Sequence, residues 1–112
     1  MTSIRFCRTP RGLLRGFVVV GHTGAAPSGE DIVCAGISAL TQTAVNALES
    51  VAGIKTHPRI APGFLSVTLP RGGTARQRAR AQIILRTVRR GLRDISASYP
   101  QYVRMERTEC IK

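Results

Sequence analysis

The stretch Leu13-Leu14-Arg15-Gly16-Phe17-Val18-Val19-Val20-Gly21-His22, followed by Thr23-Gly24-Ala25-Ala26-Pro27-Ser28-Gly29-Glu30 and then Asp31-Ile32-Val33-Cys34-Ala35-Gly36-Ile37-Ser38-Ala39-Leu40, decides the fold. A β-branched run ending in glycine and histidine reads as a strand. Small residues with two glycines, a proline and a serine read as a loop, a kind that often carries function. From Asp31 the apolar period changes to that of a helix. Val33, Ile37, Leu40, Ala44, Leu48 and Val51 form one stripe over Asp31 to Val51.

The same logic extends outward. Ile4 to Arg8 is a short strand with Ile4 and Phe6 on one face, and Pro10-Arg11-Gly12 turns it into the strand Leu13 to Gly21. In that second strand Val18, Val20 and His22 share a face by alternation. Lys55 to Ile60 and Phe64 to Leu69 form a second hairpin turning at Ala61-Pro62-Gly63, with Leu65, Val67 and Leu69 inward and Pro58 marking an edge. Thr74 to Tyr99 is the longest helix, with Ile84, Val88, Leu92, Ile95 and Tyr99 as its buried stripe. Pro100 ends it. Tyr102 to Arg107 is a last strand, and Glu109 to Lys112 a frayed tail. The order β-β-α-β-β-α-β predicts an α+β two-layer sandwich: a mixed or antiparallel sheet with both helices on one face, in a single domain over 1–112.

Composition narrows the function. Hydrophobic residues make up 43% of 112, a globular value rather than that of a basic tail. The longest unbroken apolar run is Phe17 to Val20, so no membrane segment is expected. Met1 to Arg8 lacks the pattern of a secretory signal, and three cysteines are an odd number; both favour the cytoplasm and argue against a disulfide framework. Cys7, Cys34, Cys110, His22 and His57 lack zinc-ligand spacing, so neither metal nor cofactor is expected. The net charge of +11 attracts polyanions whatever the main activity. Arg76, Arg80, Arg86, Arg89, Arg90 and Arg93 lie opposite the apolar stripe of the second helix. Such a face is ordinarily just solvated, and with aromatics at 4% there is no base-stacking platform beside it.

Cys34 alone reads as an ordinary packing residue. Its context changes that reading. A thiol in the first turn of a helix gains from the positive end of the dipole, and His22, brought back by the loop, supplies a base or ion-pair partner. Asp31 reads first as a helix cap and second as the group that orients His22. Ser38 follows Cys34 by one turn and shares its face. Gly21 permits a close backbone approach.

Gly21-His22-x-Gly24, Gly29-x-Asp31-Ile32-Val33-Cys34-Ala35-x-Ile37-Ser38-Ala39-Leu40-Thr41-Gln42-Thr43, Gly63-Phe64-Leu65 and Tyr99-Pro100-Gln101-Tyr102-Val103 together resemble the ribosomal-processing cysteine proteases of bacteria, over nearly the whole chain. The resemblance implies a cytoplasmic homodimeric endopeptidase that removes an N-terminal extension from a large-subunit ribosomal protein, cutting after an aromatic residue. It implies Cys34 as nucleophile and His22 as base. Gly21, Asp31 and Ser38 would support the site. Thr23, Gly24, Pro27, Ser28 and Gly29 would belong to a loop covering the substrate. Two other readings remain: a non-enzymatic ribosome- or RNA-associated module using the arginine face, and a redox-sensing thiol at Cys34.

Overall fold

The first two hydrophobic segments pair antiparallel as β1 (Thr2–Arg8) and β2 (Leu14–Val20) in the computed structural model, which describes residues 1–21 and 28–110, the side chains of 28–31 and 110 excepted. The long helix α1 (Ser28–Ser50) follows, then the hairpin β3 (Arg59–Ala61) and β4 (Phe64–Thr68), the helix α2 (Ala75–Ser98), and two short strands, β5 (Val103–Met105) and β6 (Glu109–Cys110). The strand order is β3-β4-β2-β1-β5, with β6 beside β1. The β1–β2, β2–β4 and β3–β4 pairs are antiparallel, and β5 and β6 run parallel to β1. The sheet is therefore mixed, and the α+β architecture expected from the sequence is present.

Alternation sets the core face. Thr2, Ile4 and Phe6 of β1, Phe17 and Val19 of β2, and Leu65 and Val67 of β4 are buried, as is Leu69 just beyond. Helix α1 adds Val33, Ile37, Ala44, Val45 and Leu48, and α2 adds Ala81, Leu85, Val88 and Leu92. The helices meet where Leu40 packs on Gly91. Gln82 of α2 ties that helix to the sheet, accepting from the Leu14 N–H at 2.9 Å and donating to the Leu14 carbonyl at 2.7 Å. Thr74 caps α2 in a reciprocal pair with Gln77: its hydroxyl accepts from the Gln77 N–H, and the Gln77 side chain accepts from the Thr74 N–H.

Several boundaries differ from expectation, each for a physical reason. The α2 stripe keeps Val88 and Leu92 but differs at its ends: Ala81 and Leu85 are fully buried, Ile84 and Ile95 only flank the core, and Tyr99 is 41% exposed because it is the C-cap. Val51 lies past the end of α1 and is 55% exposed, while Ala52 is buried in its place. Of the expected 55–60 strand only residues 59 and 60 pair, joined by Ala61 from the expected turn; His57 has φ 50°, which breaks the extended run before them. Residues 109 and 110 of the expected frayed tail pair with β1. Ile32–Ser50 is, by length and composition, apolar enough to cross a membrane, although no unbroken apolar run marks it. Here that segment packs its Val33, Ile37, Ala44 and Leu48 into the core.

Truncating Leu85 to Ala should lower the unfolding free energy by roughly 2–5 kcal/mol. Tyr99→Ala should cost clearly less. Urea denaturation followed by circular dichroism distinguishes the two.

Candidate active site

Cys34 is the seventh residue of α1, because the helix begins at Ser28 rather than Asp31. The expected first-turn placement is thus corrected by about a turn. The macrodipole acts most strongly on the first turn, and the four N–H groups a helix leaves free lie at its start. Ser28 and Gly29, expected in the covering loop, are helical here. His22, Thr23, Gly24 and Pro27 lie outside the described residues, as does the side chain of Asp31, so neither the His22–Cys34 approach nor an Asp31 contact enters the geometry.

What can be placed is the cleft around the thiol. Cys34, Ser38 and Thr41 stand on one helix face at spacings of four and three. Opposite them are Val19 and Gly21 from the end of β2, and Ile60, Phe64 and Leu65 from the β3–β4 hairpin. Thr2 completes the wall, and Gln42 lies at the rim. The hollow measures about 190 Å³. Apart from Cys34, no lining residue among those described is ionisable, although the chain carries a net charge of +11.

The Cys34 sulfur is half-buried and lies 3.6 Å from the Thr2 hydroxyl, either atom being able to donate. Thr2 is itself 3% exposed and is anchored by its N–H to the Tyr102 carbonyl at 2.9 Å. Sequence reasoning missed Thr2. The available signal was parity: it shares the buried face of Ile4 and Phe6, and a hydroxyl there needs a partner. Thr41 is also buried, its hydroxyl returning to the Ile37 carbonyl at 2.9 Å.

Gly21 joins the walls. Its N–H donates to the Gly63 carbonyl at 2.9 Å, linking the end of β2 to the hairpin. Its φ is +114°, and an added Cβ would stand 2.3 Å from the Met1 carbonyl oxygen. This conformation stops the strand alternation, so the face shared by Val18 and Val20 cannot be extrapolated to residue 22. That face is the outer one, with Val20 47% exposed. Cys7 stands apart from the cleft. Burial pushes its thiol pKa up and the nearby Glu109 adds to this, against a smaller lowering by Arg5.

A helix-borne thiol opening into a cleft whose described lining is uncharged, beside a sheet edge, is an arrangement suited to a cysteine peptidase. The family model of the cysteine protease Prp matches residues 1–104. The ribosomal processing cysteine protease Prp of Bacillus subtilis is 30% identical over 97 residues, 85% of this chain and 86% of that one. A crystal structure from Streptococcus mutans superposes with a TM-score of 0.85 at 25% identity, covering 99% of this chain and 96% of the other. The essential ribosomal processing protease Prp of S. aureus, solved with a substrate peptide, gives 0.82 at 23% identity, covering 95% and 98%. The chain belongs to the Prp family of ribosomal-processing cysteine proteases, hydrolases acting on peptide bonds.

Two outcomes follow from this geometry. Gly21→Ala should lose most peptidase activity, because the new Cβ must push β1 or the hairpin aside; retention of full activity and thermal stability would contradict the close contact. At pH 7.5 iodoacetamide should spare Cys7, and its labelling should rise only as the pH climbs past about 9, the ordinary thiol range. Peptide mass mapping across pH reads this directly.

Proposed function

We propose that this enzyme removes the N-terminal extension of a large-subunit ribosomal protein precursor, using Cys34 as nucleophile and His22 as general base and acid. The observation that carries the reading is Cys34 itself: among the described cysteine side chains it is the one that lines the cleft, on the same helix face as Ser38. The match to the Prp family over residues 1–104 supports it, as does the S. aureus relative's complex with a substrate peptide.

In this reading His22 takes the Cys34 proton. The thiolate attacks the scissile carbonyl carbon, forming a C–S bond and a tetrahedral oxyanion. Protonated His22 then gives its proton to the leaving amine as the C–N bond breaks. A water, deprotonated by His22, hydrolyses the thioester and returns the free thiol. The N–H groups near Cys34 fall inside the helical ladder, so the oxyanion is better served by a side chain such as the Ser38 hydroxyl than by the helix start.

The cleft also favours the substrate class. Ile60, Phe64 and Leu65 offer apolar contacts to an aromatic residue preceding the cut, and no charged side chain among the described lining residues competes. Strand β3 is a sheet edge with all three residues exposed, and its free side can pair with an extended peptide.

Incubating the precursor with wild type, Cys34→Ala and His22→Ala, read by intact mass, tests the assignment. Wild type should release the extension at an aromatic residue, while each variant should fall at least about a hundredfold in rate. Cleavage at wild-type rate by Cys34→Ala would overturn the dyad.

A further inference from the structure

The arginines of α2 are not distributed as a uniform solvated face. Arg86, Arg89, Arg90 and Arg93 line one hollow of about 570 Å³, and Arg89 and Arg93 also line a second of about 540 Å³, where Arg107 joins them. The first lies on α2 alone and the second between α2 and residues 105–108; they adjoin at Arg89 and Arg93 and together make one arginine-lined trough. Carboxylates nearby are already engaged. Asp94 pairs with Arg90 at 3.4 Å, and Glu106 lies 3.8 Å from Arg5, which also holds Glu109. Among the described residues, no acidic side chain pairs with Arg86, Arg89, Arg93 or Arg107.

One of the four is held in place. Arg89 donates to the Thr108 hydroxyl at 2.9 Å, and its guanidinium carbon sits 5.9 Å from the centre of the Phe6 ring. Burial, and after it the neighbouring Arg93, lowers the Arg89 pKa. Folding thus brings like charges together without a protein counterion, a cost that a bound anion would offset.

We infer that this trough binds the phosphodiester backbone of RNA. Arg86 and Arg93 are seven residues apart, about 10 Å along the helix, within reach of two or three successive phosphates. The remaining described lining is Ile83, Thr87, Ser96, Ala97, Met105, Thr108 and one carboxylate, Glu106, whose oxygen lies 3.8 Å from Arg5. No aromatic anchor of the kind that dominates protein interfaces is present in it. The trough therefore reads charge along a chain rather than side chains. It stands on these arginines and not on the peptidase reading, which it complements by placing the enzyme on the nucleic acid that ribosomal proteins bind.

The test uses the full-length chain carrying Cys34→Ala and a fluorescein-labelled 20-nucleotide single-stranded RNA, followed by anisotropy from 50 to 250 mM KCl. Arg86→Glu with Arg93→Glu should weaken binding at least tenfold and flatten the log Kd against log salt slope by about 1 to 2. Arg76→Glu with Arg80→Glu carries the same charge change elsewhere on α2 and should lose less than threefold. Circular dichroism checks both folds, and the same pairs in the Cys34 background measure precursor cleavage separately. Equal losses in the two pairs would mean net charge alone acts and would overturn the site. So would undetectable binding at 100 mM KCl, or displacement of the RNA by poly-glutamate at equal charge, which would assign the trough to an acidic protein.

Discussion

Strand β2 is held so closely on both sides that it leaves no room for a side chain near either end. At Gly16 a Cβ would lie 1.9 Å from the Val67 carbonyl oxygen, and at Gly21 one would lie 2.3 Å from that of Met1. Between these points β2 pairs with β1 on one edge and β4 on the other. The cleft inherits its walls from this arrangement. The end of β2 supplies one side, the β4 hairpin is tied to it through Gly21 and Gly63, and β1 brings Thr2 against the cysteine. Helix α1 needs only to pack Val33, Ile37 and Ala44 on the sheet for Cys34 to face the gap.

Charge is partitioned across this frame. The described cleft lining carries no charged side chain, whereas the outer side of α2 concentrates arginine. A low-charge cleft favours an apolar, extended segment and avoids the desolvation cost of an unpaired charge beside the reacting bond. None of the arginines lining the α2 hollows lines the cleft, so their attraction for polyanions acts on a separate surface. The two surfaces can therefore serve different partners at once.

Much of this was legible in the sequence. The alternation of Leu65, Val67 and Leu69, the Ile4–Phe6 face and the proline after Tyr99 located strands and a helix end correctly. Of the candidate residues in the motif from Gly21 to Leu40, the described ones Gly21, Cys34 and Ser38 line one cleft. What was hidden depended on tertiary context. The start of the α2 stripe is a choice between Ile84 and Leu85 that periodicity alone cannot make, because adjacent apolar residues satisfy the same template. Thr2 became significant only when β1 was set beside α1. The pairing of residues 109 and 110 required the parallel edge of β1, which no local pattern announces.

The position of Cys34 changes the account of its reactivity. A first-turn cysteine would draw activation from the dipole and oxyanion donors from the free N–H groups. Seven residues in, both contributions are reduced, and the helix acts chiefly as a rigid mount. On the proposed mechanism, activation would then come from groups brought to the thiol from other elements. Thr2 is one such group within contact distance, and it arrives from β1. Histidine 22 follows directly after Gly21, whose backbone is fixed on both sides by Met1 and Gly63. In the proposed dyad the base would follow one of the most constrained points in the sheet, and the nucleophile would be mounted on the helix. Such a division would make catalytic competence a property of sheet and helix together, and on that proposal the unusual φ of Gly21 would have a chemical purpose beyond closing the strand.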